Sequence, residues 1–548
     1  MLELLACLFA LAQVIGMTAR SSRGRWVLWC FLGLPLGRYL HQAYQIGQLS
    51  SRALTTSLHP VEILIQAARV DFQQLKGKQS RSFEAAHAEY QRRYGMEPPV
   101  GFEEWYSFAV ENKSPIIDDF DAIYTSITPF FRLSGLELAQ MMRDAHNSPE
   151  SDVWLCTFNG TRKDTSCDHR YRDFDRNTAL LFDTLSQNIT TNIPDVSFLV
   201  NHLDEPRALI PPPSRQIEIK RTHFQIEDLT NHPTFSTLTK YCPHNASQAS
   251  TTKPRTLPFV TNLSSAMNLC HNPSYANQHG LFLSPTSFHL IEGLVPILST
   301  GAPSTMGDIL FPSPAYTVED NFLYDASHGM EWEGKRNNLY WAGSTTGGYA
   351  ADDSRWRDFH RQRFVALAQG KAAEYQYLRE EGGVIKTVKS RFLNRRLFDV
   401  DFTRVFMCAL RTCRDEKDYF GDKGWADKDA ALGSKLVFDL DGNGIRGRYY
   451  KFLASRSAVL KQTLFREWHD DRLVPWVHYI PVSQGMEELP ELVLWLMSTS
   501  LGQTRAREVA DQGRGWFERA LRPVDRTIYL YRLLLELARL QDPARKAQ

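Results

Sequence analysis

The 548-residue sequence has almost no charge of one sign to spare, with 63 Lys and Arg against 62 Asp and Glu. No long basic run exists, so the composition does not point to nucleic acid as a partner. C-x-x-C pairs are absent, and the spacing of the cysteines fits a zinc site poorly. So are G-x-S-x-G, H-E-x-x-H and the dinucleotide-binding fingerprint, which argues against hydrolase, metalloprotease and dehydrogenase chemistry. There is no internal repeat. No uninterrupted apolar run reaches the ~20 residues that normally span a bilayer.

What is present is globular: 43% hydrophobic and 12% aromatic residues, in a chain long enough for more than one core. The first 45 residues stand apart. Two apolar stretches, 4–17 and 26–37, flank Arg20, Arg23 and Arg25, and the second can extend to Leu40. The positive-inside rule keeps the arginines cytosolic and places the rest of the chain in the lumen. Residues 1–45 are therefore expected to form a membrane anchor region, with a partnership to the membrane through this segment. Five N-x-S/T sequons, at Asn112, Asn159, Asn188, Asn245 and Asn262, agree with a lumenal body. Beyond Cys7 and Cys30, six cysteines fall into near neighbours: Cys156 and Cys167, Cys242 and Cys270, Cys408 and Cys413. An even number in short loops suits disulfides in an oxidising compartment, although spacing alone does not fix connectivity.

Along the chain, 46–80 reads as a helical stem with Val61, Ile63, Leu64, Ala67 and Val70 as its stripe. From about residue 150, short apolar runs alternate with helical patterns, the signature of an α/β fold with parallel strands. Val196–Val200 reads as a strand that ends in Asn201-His-Leu-Asp204-Glu-Pro206. Residues 339–341 form a strand running into Gly343-Ser-Thr-Thr-Gly-Gly348, and 437–440 one running into a loop with Asp441, Gly442, Asn443 and Gly444. Residues 476–480 look like a third such strand. Leu530, Leu533, Leu534, Leu537 and Leu540 mark a C-terminal helix.

Glycines after a strand let backbone N–H groups approach a phosphate, and a following helix N-terminus favours its charge. Arg448, just beyond the second loop, can neutralise a diphosphate without metal. Loop 343–348 is not a P-loop, because it lacks the lysine and its spacing. It carries three hydroxyls, however, and is followed by Arg355, Arg357, Arg361 and Arg363. Asp-x-Asp pairs occur at 119/121, 399/401 and 439/441, each able in principle to hold a divalent cation. Tyr450, at the position that needs a bidentate Glu, argues against a calcium loop starting at Asp439, as do Arg446 and Arg448 beside it.

In combination, these segments resemble glycosyltransferase family 90, which includes protein O-glucosyltransferases and capsule-associated xylosyltransferases. The resemblance runs from about 85 to 540. It is carried by Arg472-Leu-Val-Pro-Trp-Val-His-Tyr-Ile-Pro-Val482, Glu467, the loop 441–448, and the stretches 90–105, 308–314 and 340–348. It implies a GT-B-like pair of Rossmann-like domains facing a cleft. The expected organisation is a membrane anchor region at 1–45, a stem and extension at 46–130, an acceptor-side domain at 131–330, a UDP-sugar domain at 331–500 and C-terminal helices at 501–548. It further implies inverting, metal-independent transfer with no cofactor beyond the donor. Asp204 matches the base, and Gly343, Ser344, Arg361, Asn443, Gly444, Ile445, Arg446, Gly447 and Arg448 match donor-binding positions. The expected partners are UDP-xylose or UDP-glucose and a glycan or glycoprotein acceptor. The chain ends Arg545-Lys-Ala-Gln548 rather than in an ER-retention tail, which favours the Golgi over the ER membrane. Two alternatives remain at this stage: a catalytically inactive lumenal glycan-binding relative, and a metal-dependent glycosyltransferase using an Asp-x-Asp site.

Overall fold

The computed structural model describes residues 36–37, 39–48, 59–213, 222–243, 257–352 and 355–548, together with positions 9, 13 and 17. Helix α1 (Pro60–Gly77) starts with Pro60 in its first turn and a cap from the His59 side chain, which accepts from the Val61 N–H. Its buried stripe is Val61, Ile65, Ala68 and Phe72, at helical spacing. The stripe expected from sequence is rotated away from this one, since Ile63 and Val70 are exposed. Helices α2 (Phe83–Tyr94), α3 (Phe102–Glu111) and α4 (Gly135–Asn147) follow, the last opened by a reciprocal cap between Ser134 and Glu137.

The first large sheet comprises β1 (Trp154–Asn159), β2 (Asp164–Asp168), β3 (Val196–Val200), β4 (Ile297–Ser299) and β5 (Ile309–Leu310). Its spatial order is β2-β1-β3-β4-β5. Strand β1 runs antiparallel to both β2 and β3, whereas β3, β4 and β5 are mutually parallel. Helix α5 (Thr178–Ser186) lies between β2 and β3 in the chain. The disulfide Cys156–Cys167 joins directly paired residues of β1 and β2, and Cys242–Cys270 and Cys408–Cys413 complete the set.

The second large sheet contains β6 (Arg336–Ser344), β7 (Phe398–Arg404), β8 (Ser434–Leu440), β9 (Ala458–Gln462) and β10 (Ile480–Pro481). All of its pairings are parallel, in the order β7-β6-β8-β9-β10. Helix α6 (His360–Ala368) follows β6, and α7 (Tyr449–Ala454) links β8 to β9. Every residue of β8 and β9 is buried, as expected for central strands covered on both faces. Two smaller sheets, of three and two strands, flank these.

Helices α8 (Leu489–Ser498), α9 (Ser500–Ala520) and α10 (Pro523–Gln541) close the chain. Helix α10 returns to the first sheet and the N-terminal helices. Its Ile528 carbonyl accepts from the Trp105 indole at 2.9 Å, Tyr529 donates to the Leu310 carbonyl at 3.0 Å, and Thr527 donates to the Leu185 carbonyl at 2.8 Å. Arg532 lies over the rings of Tyr90, Phe102 and Trp105.

The fold corrects three expectations. In place of a GT-B-like pair of Rossmann-like domains with N-terminal membrane segments, the chain is a mixed α/β structure with several sheets. The antiparallel β1–β2 hairpin, stapled by a disulfide, makes the first sheet mixed. Among the described residues no helix is long and apolar enough to cross a membrane. Stretches 4–17 and 26–37 lie mostly outside the described residues; each is short, and Arg20, Arg23 and Arg25 separate them. Finally, 476–480 is not a strand: Trp476 adopts φ +67°, and pairing starts only at Ile480.

Because α10 ties the C-terminal segment to the first sheet, truncating its core face should destabilise the whole protein. Leu534 is fully buried and Leu136 is 63% exposed. Leu534→Ala should cost about 2–5 kcal/mol and Leu136→Ala close to nothing. Thermal melts of the two variants beside wild type check this.

Candidate active site

Relative to chain order, the second sheet runs second-first-third-fourth-fifth. The order reverses between β6 and β8. Ligands of open parallel sheets bind outside the carboxyl ends of the strands at such a reversal, where two consecutive loops diverge and leave a crevice. The loops leaving β6 and β8 are 343–348 and 441–448, the two that sequence marked out. The carboxyl ends of β3, β4 and β5 face them from the first sheet. Between them is a cavity of ≈ 280 Å³, lined on one side by Asn201, His202, Leu203, Asp204 and Thr300, and on the other by Ile445, Arg446, Gly447 and Arg448. Arg176, Ser313, Glu319 and Phe322 are also part of the wall.

The two sides touch through glycine. A Cβ on Gly444 would stand 2.1 Å from the backbone oxygen of Asp204, and one on Gly447 would stand 2.9 Å from the Phe322 ring. These glycines serve the close approach of the two halves. Ile445 packs between them, against Gly301. Asn443 acts as a tie: its Oδ1 accepts from the Gly347 N–H at 2.9 Å and from the Thr286 hydroxyl at 3.2 Å. The neighbouring Ser287 and the Thr286 N–H donate to Glu205. One network thus joins the β3, β6 and β8 loops.

Three arginines surround loop 343–348. Arg361, fully buried on α6, donates to the Asp441 carbonyl at 2.8 Å, to the Ser344 carbonyl at 3.0 Å and to the Thr346 hydroxyl. Arg446 donates to the same hydroxyl at 3.1 Å, and Arg448 to the Ala342 carbonyl at 2.8 Å. Gly343 lies against the Trp341 ring, and Ser344 pairs its hydroxyl with that of Thr346. Among the described residues no carboxylate comes within 4.0 Å of these three guanidinium groups. Buried Nε of Arg446 and Nη2 of Arg361 also have no partner. Burial, and then the charge of Arg448, push the Arg446 guanidinium down to about 9, while burial also lowers Arg448. Crowded cations that donate to neutral oxygens alone are electrostatically suited to a neighbouring anion. Arg363, two residues beyond Arg361, points elsewhere, to the carbonyls of Gln278, Gln484 and Gly485.

Across the cavity, Asp204 extends from the loop after β3 and is paired at 3.1 Å with Arg176. Its neighbour Glu205 is buried. Burial first, and the adjacent Asp204 second, push the Glu205 carboxyl up to about 7.

Among the described residues each Asp-x-Asp pair has hydrogen-bond or cationic partners of its own. Asp119 pairs with Lys78 and Arg93, and Asp121 with Arg93. Asp399 is held by Arg336, and Lys423 reaches both Asp399 and Asp401. Asp441 accepts from the Leu464 N–H, and Asp439 faces Lys461 at 3.7 Å. Asp152, His169 and His202 bring donor atoms within 4.8 Å of one another. Yet Arg172 donates to both oxygens of Asp152, and His169 Nδ1 accepts from the Tyr171 N–H, which leaves the proton on Nε2. That is the wrong tautomer for a ligand facing the carboxylate.

Of the residues that sequence reasoning singled out, Asp204, Ile445, Arg446, Gly447 and Arg448 line one cavity, whereas Gly343, Ser344, Arg361, Asn443 and Gly444 do not. That reasoning missed Arg176, Glu319 and Phe322, which lie in segments with no glycine, motif or strand end to mark them.

Comparison with known proteins bears out the resemblance over the C-terminal part: residues 418–547 match the family model described as Glycosyl transferase family 90. Over 108 residues the chain is 30% identical to Protein O-glucosyltransferase 3 of Rattus norvegicus, and equally to that of Mus musculus. The match covers 20% of this chain and 21% of each relative's length. The chain thus aligns with about a fifth of the curated relatives it matches.

The raised Glu205 makes a pH-dependent prediction. Below pH 4.5 the group is protonated in both the folded and unfolded states. Between its unfolded value of 4.5 and its folded value of about 7, only the unfolded state ionises, so stability falls as pH rises. A shift of this size corresponds to roughly 3 kcal/mol. Glu205→Gln should therefore gain stability over wild type at pH 8 and lose that advantage at pH 4. Denaturant titrations at both pH values measure it.

Proposed function

We propose that the protein is an inverting glycosyltransferase that moves a sugar from UDP-xylose or UDP-glucose to a hydroxyl of a glycan or glycoprotein, without a metal. The observation that carries this reading is the cavity at the reversal of the second sheet. A carboxylate, Asp204, faces Arg446 and Arg448, two cations that have no carboxylate within 4.0 Å among the described residues. The family match over 418–547 includes loop 441–448, and so the cationic side.

The chemistry requires both sides. Asp204 takes the proton of the acceptor hydroxyl as its oxygen bonds to the anomeric carbon. The bond from that carbon to UDP breaks on the opposite face, and its electron pair leaves on the diphosphate. General-base assistance of this kind is worth ~10²–10⁴-fold. The charge that develops on the diphosphate meets Arg446 and Arg448, whose burial raises the value of each contact over that in water. Arg361 supports them from behind by fixing Ser344 and Thr346. The three disulfides support residence in an oxidising compartment of the secretory pathway, since cytosolic thiols are kept reduced.

Asp204→Asn preserves shape and removes the proton acceptor, so turnover should fall by ~10² or more while UDP affinity stays close to wild type. Arg448→Ala should show the reverse emphasis, losing UDP affinity in calorimetry while the fold persists. UDP release from a panel of UDP-sugars, with and without EDTA, provides the assay. Turnover of Asp204→Asn within a fewfold of wild type refutes the base, and loss of activity in EDTA refutes the metal-free route.

A further inference from the structure

We infer that Arg176 is the positioning residue of the base: its guanidinium holds one oxygen of the Asp204 carboxylate and leaves the other to take the acceptor's proton. This inference rests on the glycosyl-transfer reading above.

Arg176 and Asn177 adopt φ of +52° and +63°, two successive non-glycine residues in the left-handed region. Asn tolerates that region. Arg, whose side chain does not bond to its own backbone there, enters it at a cost. The turn is held by Asp175, which accepts from the Thr178 hydroxyl and from the Ala179 N–H, both at 2.8 Å, at the start of α5. Its result is to bring Arg176 into the cavity wall, with Nη1 3.1 Å from Asp204 Oδ1. Among the described residues this is the one hydrogen bond to the Asp204 carboxylate, and Oδ2 is left for a substrate hydroxyl.

Stability does not explain the strained turn. The two side chains are 53% and 54% exposed, and an exposed pair of this kind contributes little to folding. Strain retained at a cavity wall without a stability return points to function. The other charged groups around Asp204 cannot do the same. Glu205 is buried and bound to Ser287, Glu319 repels a carboxylate, and Arg446 is bound to Thr346. In the transfer step Arg176 neither gains nor loses a proton. It fixes the rotation of the carboxylate while the acceptor hydrogen moves to Oδ2 and UDP departs.

Arg176→Gly separates this role from a structural one, because glycine relieves the left-handed backbone and removes the guanidinium together. Its melting temperature should match or exceed that of wild type, while kcat should fall about 10- to 100-fold with UDP affinity unchanged. Arg176→Lys should recover part of kcat, and millimolar guanidinium ion should raise kcat of Arg176→Gly. Combined with Asp204→Asn, Arg176→Gly should cause no further loss. Turnover of Arg176→Gly within threefold of wild type overturns the inference. So does a tenfold loss of UDP affinity, which would make Arg176 a diphosphate ligand, or an additive loss in the double variant. If Asp204→Asn itself remains active, the glycosyl-transfer reading falls. If Asp204→Asn is inactive and Arg176→Gly is active, only the role of Arg176 falls.

Discussion

The contact between Gly444 and the backbone of Asp204 sets the geometry of everything around it. With no Cβ at 444, the loop after β8 lies directly on the loop after β3, and the carboxyl ends of two separate sheets meet across a cavity. Any side chain at 444 would push Asp204 away from Arg446 and Arg448. Two features keep that contact in register. Asn443 is hydrogen-bonded to Gly347 and Thr286, and α10 returns from the C-terminus to bind Leu310 and Leu185 of the opposite half. The distance between an acidic group and a cationic one is thereby fixed by backbone packing, which yields less than a pair of long side chains would.

The site's electrostatics follow from where charge has been left uncompensated. Some buried ions of the chain are matched, Lys461 with Glu467, Arg532 with Glu536 and Lys451 with Asp429, whereas others, such as Arg207 and Arg526, donate to backbone carbonyls. At the mouth of the second sheet three such cations lie close together, and Arg361, Arg446 and Arg448 donate to carbonyls and a hydroxyl. Burying cations in this manner costs free energy that a neighbouring anion would offset. The acidic side is arranged differently, with Asp204 at the surface and Glu205 buried beside it. One loop thus holds two adjacent carboxyls in different environments, and only the exposed one can reach a substrate.

Local signals in the sequence determined a large part of this protein. Strand Val196–Val200 was legible to the residue because β-branched and aromatic residues alternate there and a turn sequence ends it. The strands leading into both glycine loops and the amphipathic C-terminal helix were legible for the same reason, since each depends on residues a few positions apart. Tertiary structure alone decided the rest. The order of the parallel strands depends on which strands find each other across tens of residues, so the reversal between β6 and β8 leaves no local trace. The antiparallel pairing that makes the first sheet mixed, the rotation of α1 that buries Ile65 in place of Ile63, and the turn at Trp476 were likewise set by what each segment packs against. Arg176 was invisible for the plainest reason. It stands 28 residues from Asp204 in an ordinary polar turn, and only folding brings the two within hydrogen-bonding distance.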